Sequence, residues 1–216
     1  MWGHYARYSR CFPESATAQR EDGRKVRMKD LKVGDRVLTL DRYQQPTYSE
    51  VTMMMHRQTN VTVADYIRLT THANKTLTLS MYHLIPVSQP NSSRTEFIFT
   101  KDVRPHFHRV LVYEDHGGGG GSTSQSLVTS VEMVERRGAY APLTNEGTIV
   151  VDDVYASCYA SFPYHWVAHY VFYLWRTLYV LFSRIIDLSI QGDGFHWYPN
   201  FFRTALNAVP VLPYQL

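Results

Sequence analysis

Three side chains in this sequence are of types that could do covalent chemistry on the chain itself: Cys11, Ser80 and His83. Cys11 stands directly ahead of Phe12-Pro13 and of the first β-type run. A thiol beside its own amide can attack the preceding carbonyl, here that of Arg10, and exchange a peptide for a thioester. The exchange is uphill unless the peptide is distorted and the departing nitrogen protonated, so it needs a donor near the amide and a base or charge near the sulfur. His83 is the candidate donor, and the Ser80 hydroxyl three residues earlier is a candidate partner for the same peptide. Structural readings of these residues stay open beside the chemical one. Cys11 also fits a buried core thiol or half of a disulfide with Cys158, and His83 fits a hydrogen-bonded histidine in a sheet.

The elements that must position these groups are strands. From residue 24 to about 160 the chain is a series of short β-branched and aromatic runs broken by polar turns, among them VRMKDLKVGDRVLTL, YSEVTMMM, DYIRLTT, KTLTLSMYHLIPV, SLVTSVEMV and GTIVVDDVYASCYASF. Their spacing leaves no room for crossover helices, which predicts an all-β domain. Gly117 to Gly121 followed by Ser-Thr-Ser is expected to be a flexible insert. Lys29-Asp30-Leu31 followed by Asp35-Arg36-Val37-Leu38 recurs as Lys101-Asp102-Val103 followed by His108-Arg109-Val110-Leu111. A looser echo links 69–79 to 143–151. Two copies predict a duplicated β-subdomain with a pseudo-twofold axis and a site where the halves meet.

Composition narrows the partners. With 44% hydrophobic and 19% charged residues the chain is a folded one, and a net charge of +3 without any basic cluster argues against nucleic acid. Neither cysteine belongs to a Cys-x-x-Cys pair, so a structural zinc site of the usual spacing is absent. The start MWGHYARYSR has no apolar stretch of the secretory type, so export is expected to be specified upstream of it. Sequons at Asn60, Asn74 and Asn91 are compatible with an exported chain. After Phe162 the segment YHWVAHYVFYLWRTLYVLFSRIIDLSI is aromatic and apolar but interrupted by Arg176 and Arg184. It fits a helix lying in a membrane interface, with Trp166 and Trp175 at headgroup level, or else added core for the β-domain. Trp197, Phe201 and Phe202 belong to a second aromatic segment beyond a Gly-Asp-Gly turn.

CFPESA at 11–16, KDLKVGDRVL at 29–38, YSEV at 48–51, LTLSMYHL at 77–84, GAYAPLTNEGTIVVDDVYASCYA at 138–160 and HWY at 196–198 closely resemble, in collinear order, the C-terminal autoprocessing region of Hedgehog proteins. That region is the hedgehog-intein or Hint domain. The resemblance implies a Hint fold at 11–160, preceded by a leader at 1–10 and followed by a helical, aromatic-rich sterol-recognition and membrane-contacting region at 161–216. It also implies a self-directed acyl transfer: Cys11 makes a thioester with Arg10, and a sterol hydroxyl then displaces the sulfur. In that scheme His83 serves the scissile amide, Ser80 replaces the family threonine, and Cys158 is the second family cysteine, which assists thioester exchange or pairs with Cys11. The implied partners are the chain's own N-terminal segment in cis, a sterol such as cholesterol, and a membrane interface. No cofactor is implied, and the chain is expected to act as a monomer within the endoplasmic reticulum of the secretory pathway.

Departures from the family pattern qualify this scheme. Arg10 stands where the family usually has glycine, and the long domain that normally precedes the nucleophile is expected upstream of the short leader at 1–10. His56, in YSEVTMMMHRQ, occupies the position of the aspartate to which the sterol-activating role is assigned. An imidazole can accept a proton near neutral pH, but it does not supply a carboxylate's charge. Cys11, His56 and His83 together also make a ligand set that could capture inhibitory zinc. Alternatives to sterol transfer are a thioester that ends in hydrolysis or another nucleophile, and an inactive membrane-binding module. Splicing is disfavoured by the Pro-Tyr-Gln-Leu end.

Overall fold

A computed structural model describes residues 12–41, 43–90, 92, 94–117, 120–159 and 194–195. The all-β expectation holds. The strands are β1 (Thr17–Gln19), β2 (Lys25–Arg27), β3 (Arg36–Leu40), β4 (Pro46–Thr71), β5 (Thr76–Ser80), β6 (Leu84–Ser88), β7 (Thr95–Phe99), β8 (Arg109–Asp115), β9 (Gly121–Thr144), β10 (Thr148–Val151), β11 (Val154–Ser157) and β12 (Gly194–Phe195). Leader residues 1–10 and Cys11 lie outside the described residues, as do all of 161–216 except Gly194–Phe195.

The internal repeat is visible in the backbone. Each half carries a short strand, one turn of 3-10 helix, a strand and then a very long strand: β2, Met28–Asp30, β3 and β4 in the first, β7, Thr100–Asp102, β8 and β9 in the second. The residue before each 3-10 turn has nearly the same conformation, φ −71° and ψ 150° at Arg27 against φ −70° and ψ 144° at Phe99. The first amide of each turn reaches back to an equivalent carbonyl. Met28 N–H donates to Ala16 O at 2.8 Å, and Thr100 N–H donates to His83 O at 2.9 Å. His83 is thus the second-half counterpart of Ala16, a register that the sequence repeat alone leaves out. The looser echo diverges, because β5 folds back on β4 whereas β10 leaves β9 to pair with β1 and β11.

The halves are joined by their long strands. β4 and β9 run antiparallel from Val51↔Thr144 to Thr71↔Val128, with register shifts at five places. Strands of 26 and 24 residues exceed the usual length, and bulges are the device that bends them around a core. Residues 51–56 of β4 are all buried, on both faces of the strand, and only beyond Arg57 does the chain alternate between partly buried and exposed positions. One main core cluster includes Phe12, Met53, Tyr66, Leu69, Leu77, Leu79, Tyr140, Ile149 and Tyr159.

Local chemistry corrects two sequence expectations. Gly121 and Ser122-Thr123-Ser124 are part of β9, paired with Asp115 to Val112 of β8, and are not a flexible insert. The physical reason is at Gly121, where a Cβ would stand 2.3 Å from the Tyr113 ring; the glycine lets that buried aromatic lie across the strand. KTLTLSMYHLIPV, which reads as one run, breaks at Ser80. His83 N–H donates to Ser80 O at 3.0 Å, turning the chain between β5 and β6 and leaving His83 at the corner.

The β10–β11 hairpin turns at Asp152-Asp153, both in left-handed conformation with φ 48° and 65°. Asp152 accepts from the Thr17 amide and hydroxyl, each at 2.8 Å, and Asp153 pairs with Lys25 and Lys75. Burial raises the Asp152 pKa, only partly offset by the Thr17 hydrogen bonds. A carboxyl whose folded-state pKa is raised contributes stability at low pH and loses it as pH rises through the folded value. Asn at this position keeps the acceptor, drops the buried charge and tolerates positive φ. Asp152→Asn is therefore expected to stabilise the domain by about 1 kcal/mol at pH 7, with the gain shrinking toward pH 4. Thermal melts of both proteins at the two pH values measure this; an equal or reversed difference at pH 4 contradicts the assignment.

Candidate active site

His83 is the centre of a buried site. Its backbone is held at both ends: the amide by Ser80 O, and the carbonyl by both the Thr100 amide and the Thr100 hydroxyl, each at 2.9 Å. Its ring is held as well, by a 2.7 Å hydrogen bond between Nε2 and Ser157 O. A carbonyl only accepts, so Nε2 carries the proton and Nδ1 carries the lone pair. Nδ1 is buried and has no hydrogen-bond partner among the described residues. Burial pushes the His83 pKa down to about 4, against the opposing effect of the Ser157 carbonyl. At neutral pH the ring is an uncharged imidazole with one committed nitrogen and one available nitrogen.

The Phe12 ring packs on this imidazole, with centroids 4.6 Å apart and planes at 52°. Phe12 is itself fixed by an antiparallel bridge to β9: its amide donates to Tyr140 O at 2.8 Å and its carbonyl accepts from Tyr140 N–H at 2.9 Å. Two residues on, Glu14 N–H donates to Arg137 O at 2.9 Å. Gly138 permits this close crossing. Its φ is +76°, and a Cβ there would lie 2.7 Å from the Tyr140 ring and 2.8 Å from Glu14 Cβ. The buried Tyr66 hydroxyl donates to Gly138 O at 2.8 Å and fixes the same peptide from below.

The carbonyls of Ser80 and of Ser157, the residue before Cys158, both hydrogen-bond His83. Ser80 is fully buried at the end of β5 and supplies the carbonyl that turns the chain into His83. Cys158 follows Ser157, is 1% exposed, and places its Sγ 3.7 Å from the Thr144 hydroxyl. Its neighbours in the Ser-Cys-Tyr run build the wall of the site. Ser157 O holds the imidazole, and Tyr159 O accepts from Leu84 N–H at 3.3 Å.

His56 lies on the strand on the other side of β9 from Phe12. It is buried within β4 at 5% exposure, in register with Ala141 of β9, while its neighbour Arg57 is in register with Tyr140. Tyr140 in turn bridges Phe12, so β9 separates His56 from the Phe12 backbone by two strand spacings, about 10 Å. The zinc set of Cys11, His56 and His83 contains one member outside the described residues, and Nε2 of another is occupied by Ser157 O. Arg10, Cys11, Trp166, Trp175, Trp197, Phe201 and Phe202 also lie outside the described residues. Sequence reasoning missed Phe12, Thr100, Gly138 and Ser157. The repeat offered a signal for Thr100, which begins the second 3-10 turn; a backbone carbonyl such as that of Ser157 has no side-chain signature.

Comparison with known proteins accords with this geometry. A family model described as the Hint module matches residues 3–209. The hedgehog protein of Drosophila virilis is 36% identical over 206 residues, covering 88% of this chain and 41% of the relative. The Tiggy-winkle hedgehog protein of Danio rerio is 36% identical over 202 residues, covering 88% and 46%. This chain thus spans less than half the length of the relatives it matches. Among solved structures, a DnaB intein from Synechocystis has a TM-score of 0.54 at 11% identity, covering 70% of this chain and 99% of the intein. A DnaX mini intein from Spirulina platensis has a TM-score of 0.53 at 16% identity, covering 68% and 98%. At such identities these two similarities speak to the fold alone. With a two-half β-fold, a buried imidazole beside Phe12 and a family match across nearly its whole length, the chain belongs to the Hint family, as an autoprocessing domain of the hedgehog type.

Proposed function

We propose that the chain is a self-cleaving acyltransferase that moves the acyl group of Arg10 first to Cys11 and then to a sterol. The observation that carries this reading is His83: a buried, neutral imidazole with an available Nδ1, packed on the residue that directly follows Cys11. The Phe12 bridge to β9 and its ring contact hold the residue that follows Cys11 in sequence beside this imidazole, which supports the reading.

In the first step the Cys11 sulfur attacks the Arg10 carbonyl carbon, a C–S bond forms and the C–N bond to the Cys11 nitrogen breaks. The thiol proton ends on that nitrogen. His83 Nδ1 is suited to carry it, because an imidazolium with a pKa near 4 is a strong donor toward a departing amine. The fixed Nε2–H···O=C bond to Ser157 holds the tautomer throughout. In this scheme the buried Ser80 serves as hydroxyl partner to the scissile peptide and the buried Cys158 as a second thiol.

In the second step a sterol hydroxyl attacks the thioester carbonyl, the C–S bond breaks and Cys11 recovers its proton as the N-terminal residue of the released fragment. His56 takes the hydroxyl proton, standing where related chains have aspartate. The sterol and a membrane interface are engaged by the 161–216 region, within the endoplasmic reticulum and on the way to secretion, and the domain acts as a monomer on its own N-terminal segment. No other cofactor enters the scheme. Hydrolysis of the thioester is the second reading, favoured by the replacement of that aspartate by His56.

Three outcomes are expected of the full chain preceded by a folded reporter domain. Dithiothreitol releases the reporter, and Cys11→Ala abolishes release; continued cleavage in that variant removes the thioester from consideration. His83→Gln lowers dithiothreitol cleavage by about 100-fold or more. It also removes a component of stability: a histidine whose folded pKa is depressed favours the folded state above its ordinary value of about 6.5, an advantage lost as pH falls toward 4. Urea titrations at pH 7 and 4.5 should show a smaller pH dependence in His83→Gln than in the parent. His56→Asp, followed by intact mass of the released fragment with cholesterol, is expected to raise the sterol adduct relative to the dithiothreitol product; an unchanged ratio means the imidazole already suffices.

A further inference from the structure

The chain turns from β4 into β5 through Thr71-His72-Ala73-Asn74-Lys75, and Asn74-Lys75-Thr76 is a sequon. Every backbone amide of the turn has a partner. Thr71 N–H donates to Lys75 O at 2.9 Å, His72 N–H to Leu127 O at 2.8 Å and Asn74 N–H to Thr71 O at 3.0 Å. Ala73 N–H donates to Ser126 Oγ at 3.0 Å, and Lys75 N–H to Thr71 Oγ1 at 3.2 Å. An asparagine in a turn often commits its side chain to such an amide. Here none is left for it. The Asn74 carboxamide and the Thr76 hydroxyl make no hydrogen bond among the described residues, and both residues are exposed. Lys75, between them, pairs with Asp153 at 2.9 Å. Asn74 has φ 56°, a left-handed conformation that asparagine adopts more readily than most residues. The Asn60 sequon is placed differently: Asn60 is exposed but lies within β4, and its Thr62 is in register with Arg137, beside the Phe12–Glu14 crossing. Asn91 lies outside the described residues.

We propose that Asn74 is an N-glycosylation site, the acceptor of an oligosaccharide delivered on a lipid diphosphate. The proposal rests on passage through the secretory pathway, one part of the reading above, and is independent of the sterol step. Asn74 Nδ2 attacks the anomeric carbon of the first sugar. An N–C bond forms, the C–O bond to the diphosphate breaks with its electron pair on the leaving lipid diphosphate, and one Nδ2 proton passes to the transferase. A surface turn is the setting in which the folded domain carries the product without rearrangement. The position is also compatible with self-cleavage. Asn74 precedes β5 and Ser80 ends it, so the five residues of that strand, about 15 Å, stand between the sugar and the corner that leads into His83.

The test expresses the full chain with its reporter domain behind a secretory signal in animal cells, the reporter carrying a sequon known to be occupied. Peptide N-glycosidase in heavy-oxygen water converts each glycosylated asparagine to a labelled aspartate, and peptide masses locate the label. Asn74 is expected to be labelled in most molecules. Asn74→Asp, which keeps the left-handed preference, and Thr76→Ala, which keeps the asparagine, are each expected to remove one glycan. Asn60→Gln is expected to leave the Asn74 label unchanged. Both residues of the sequon are exposed, so dithiothreitol release in Asn74→Asp and Thr76→Ala is expected to stay within about twofold of the parent. An unlabelled Asn74 beside a labelled reporter sequon overturns the assignment, and so does a label on Asn74 that persists in Thr76→Ala. An unlabelled reporter sequon means that the chain does not pass through the lumen, which defeats the secretory reading and is a separate result from failure of the site.

Discussion

The hydrogen bond from His83 Nε2 to the carbonyl of Ser157 is the interaction on which the site depends. It decides the tautomer, and through the tautomer it decides which nitrogen is left to work. A buried imidazole without it would face two uncommitted nitrogens and a freely chosen proton position. With it, the ring is oriented, its lone pair is assigned, and desolvation keeps it uncharged. The surrounding fold can be read as the set of contacts that bring Ser157 and His83 to opposite sides of a 2.7 Å gap: the aspartate turn that returns β11 along β10, the chain reversal at Ser80, and the Thr100 clamp on the His83 carbonyl.

Duplication accounts for how such a site arises. The two halves repeat a short strand, a 3-10 turn and a long strand, and in each the first amide of the turn ties down a residue just ahead of a strand. In the first half that residue is Ala16, downstream of Phe12; in the second it is His83. Symmetry therefore presents two equivalent backbone corners, and divergence has put different side chains on them. The long strands β4 and β9, paired to each other, are the seam along which the halves face one another.

Much of this was legible beforehand because it is written in side chains. Alternating β-branched runs located the strands, the Lys-Asp repeat located the halves, and the histidine of LTLSMYHL falls at the buried corner with an available ring nitrogen. Four features were not legible, each for its own reason. The carbonyl of Ser157 is a main-chain group that any residue supplies. The Gly-Ser stretch at 121–124 has the composition of a linker, yet becomes a strand because β8 offers it a full ladder and Tyr113 needs the space over Gly121. YSEVTMMM and DYIRLTT, which read as separate runs, are one strand because bulges bend a ladder that straight strands of that length would leave unsupported. The crossing of Phe12 and Glu14 over Gly138 follows only from tertiary contact.

The carbonyl that fixes the imidazole belongs to one of the last residues of the β-domain, while Phe12 belongs to its first. In the proposed reaction a ribosome must therefore finish nearly the whole domain before the Arg10–Cys11 peptide can meet an oriented imidazole. Under that proposal the topology itself delays severing until the polypeptide is nearly complete.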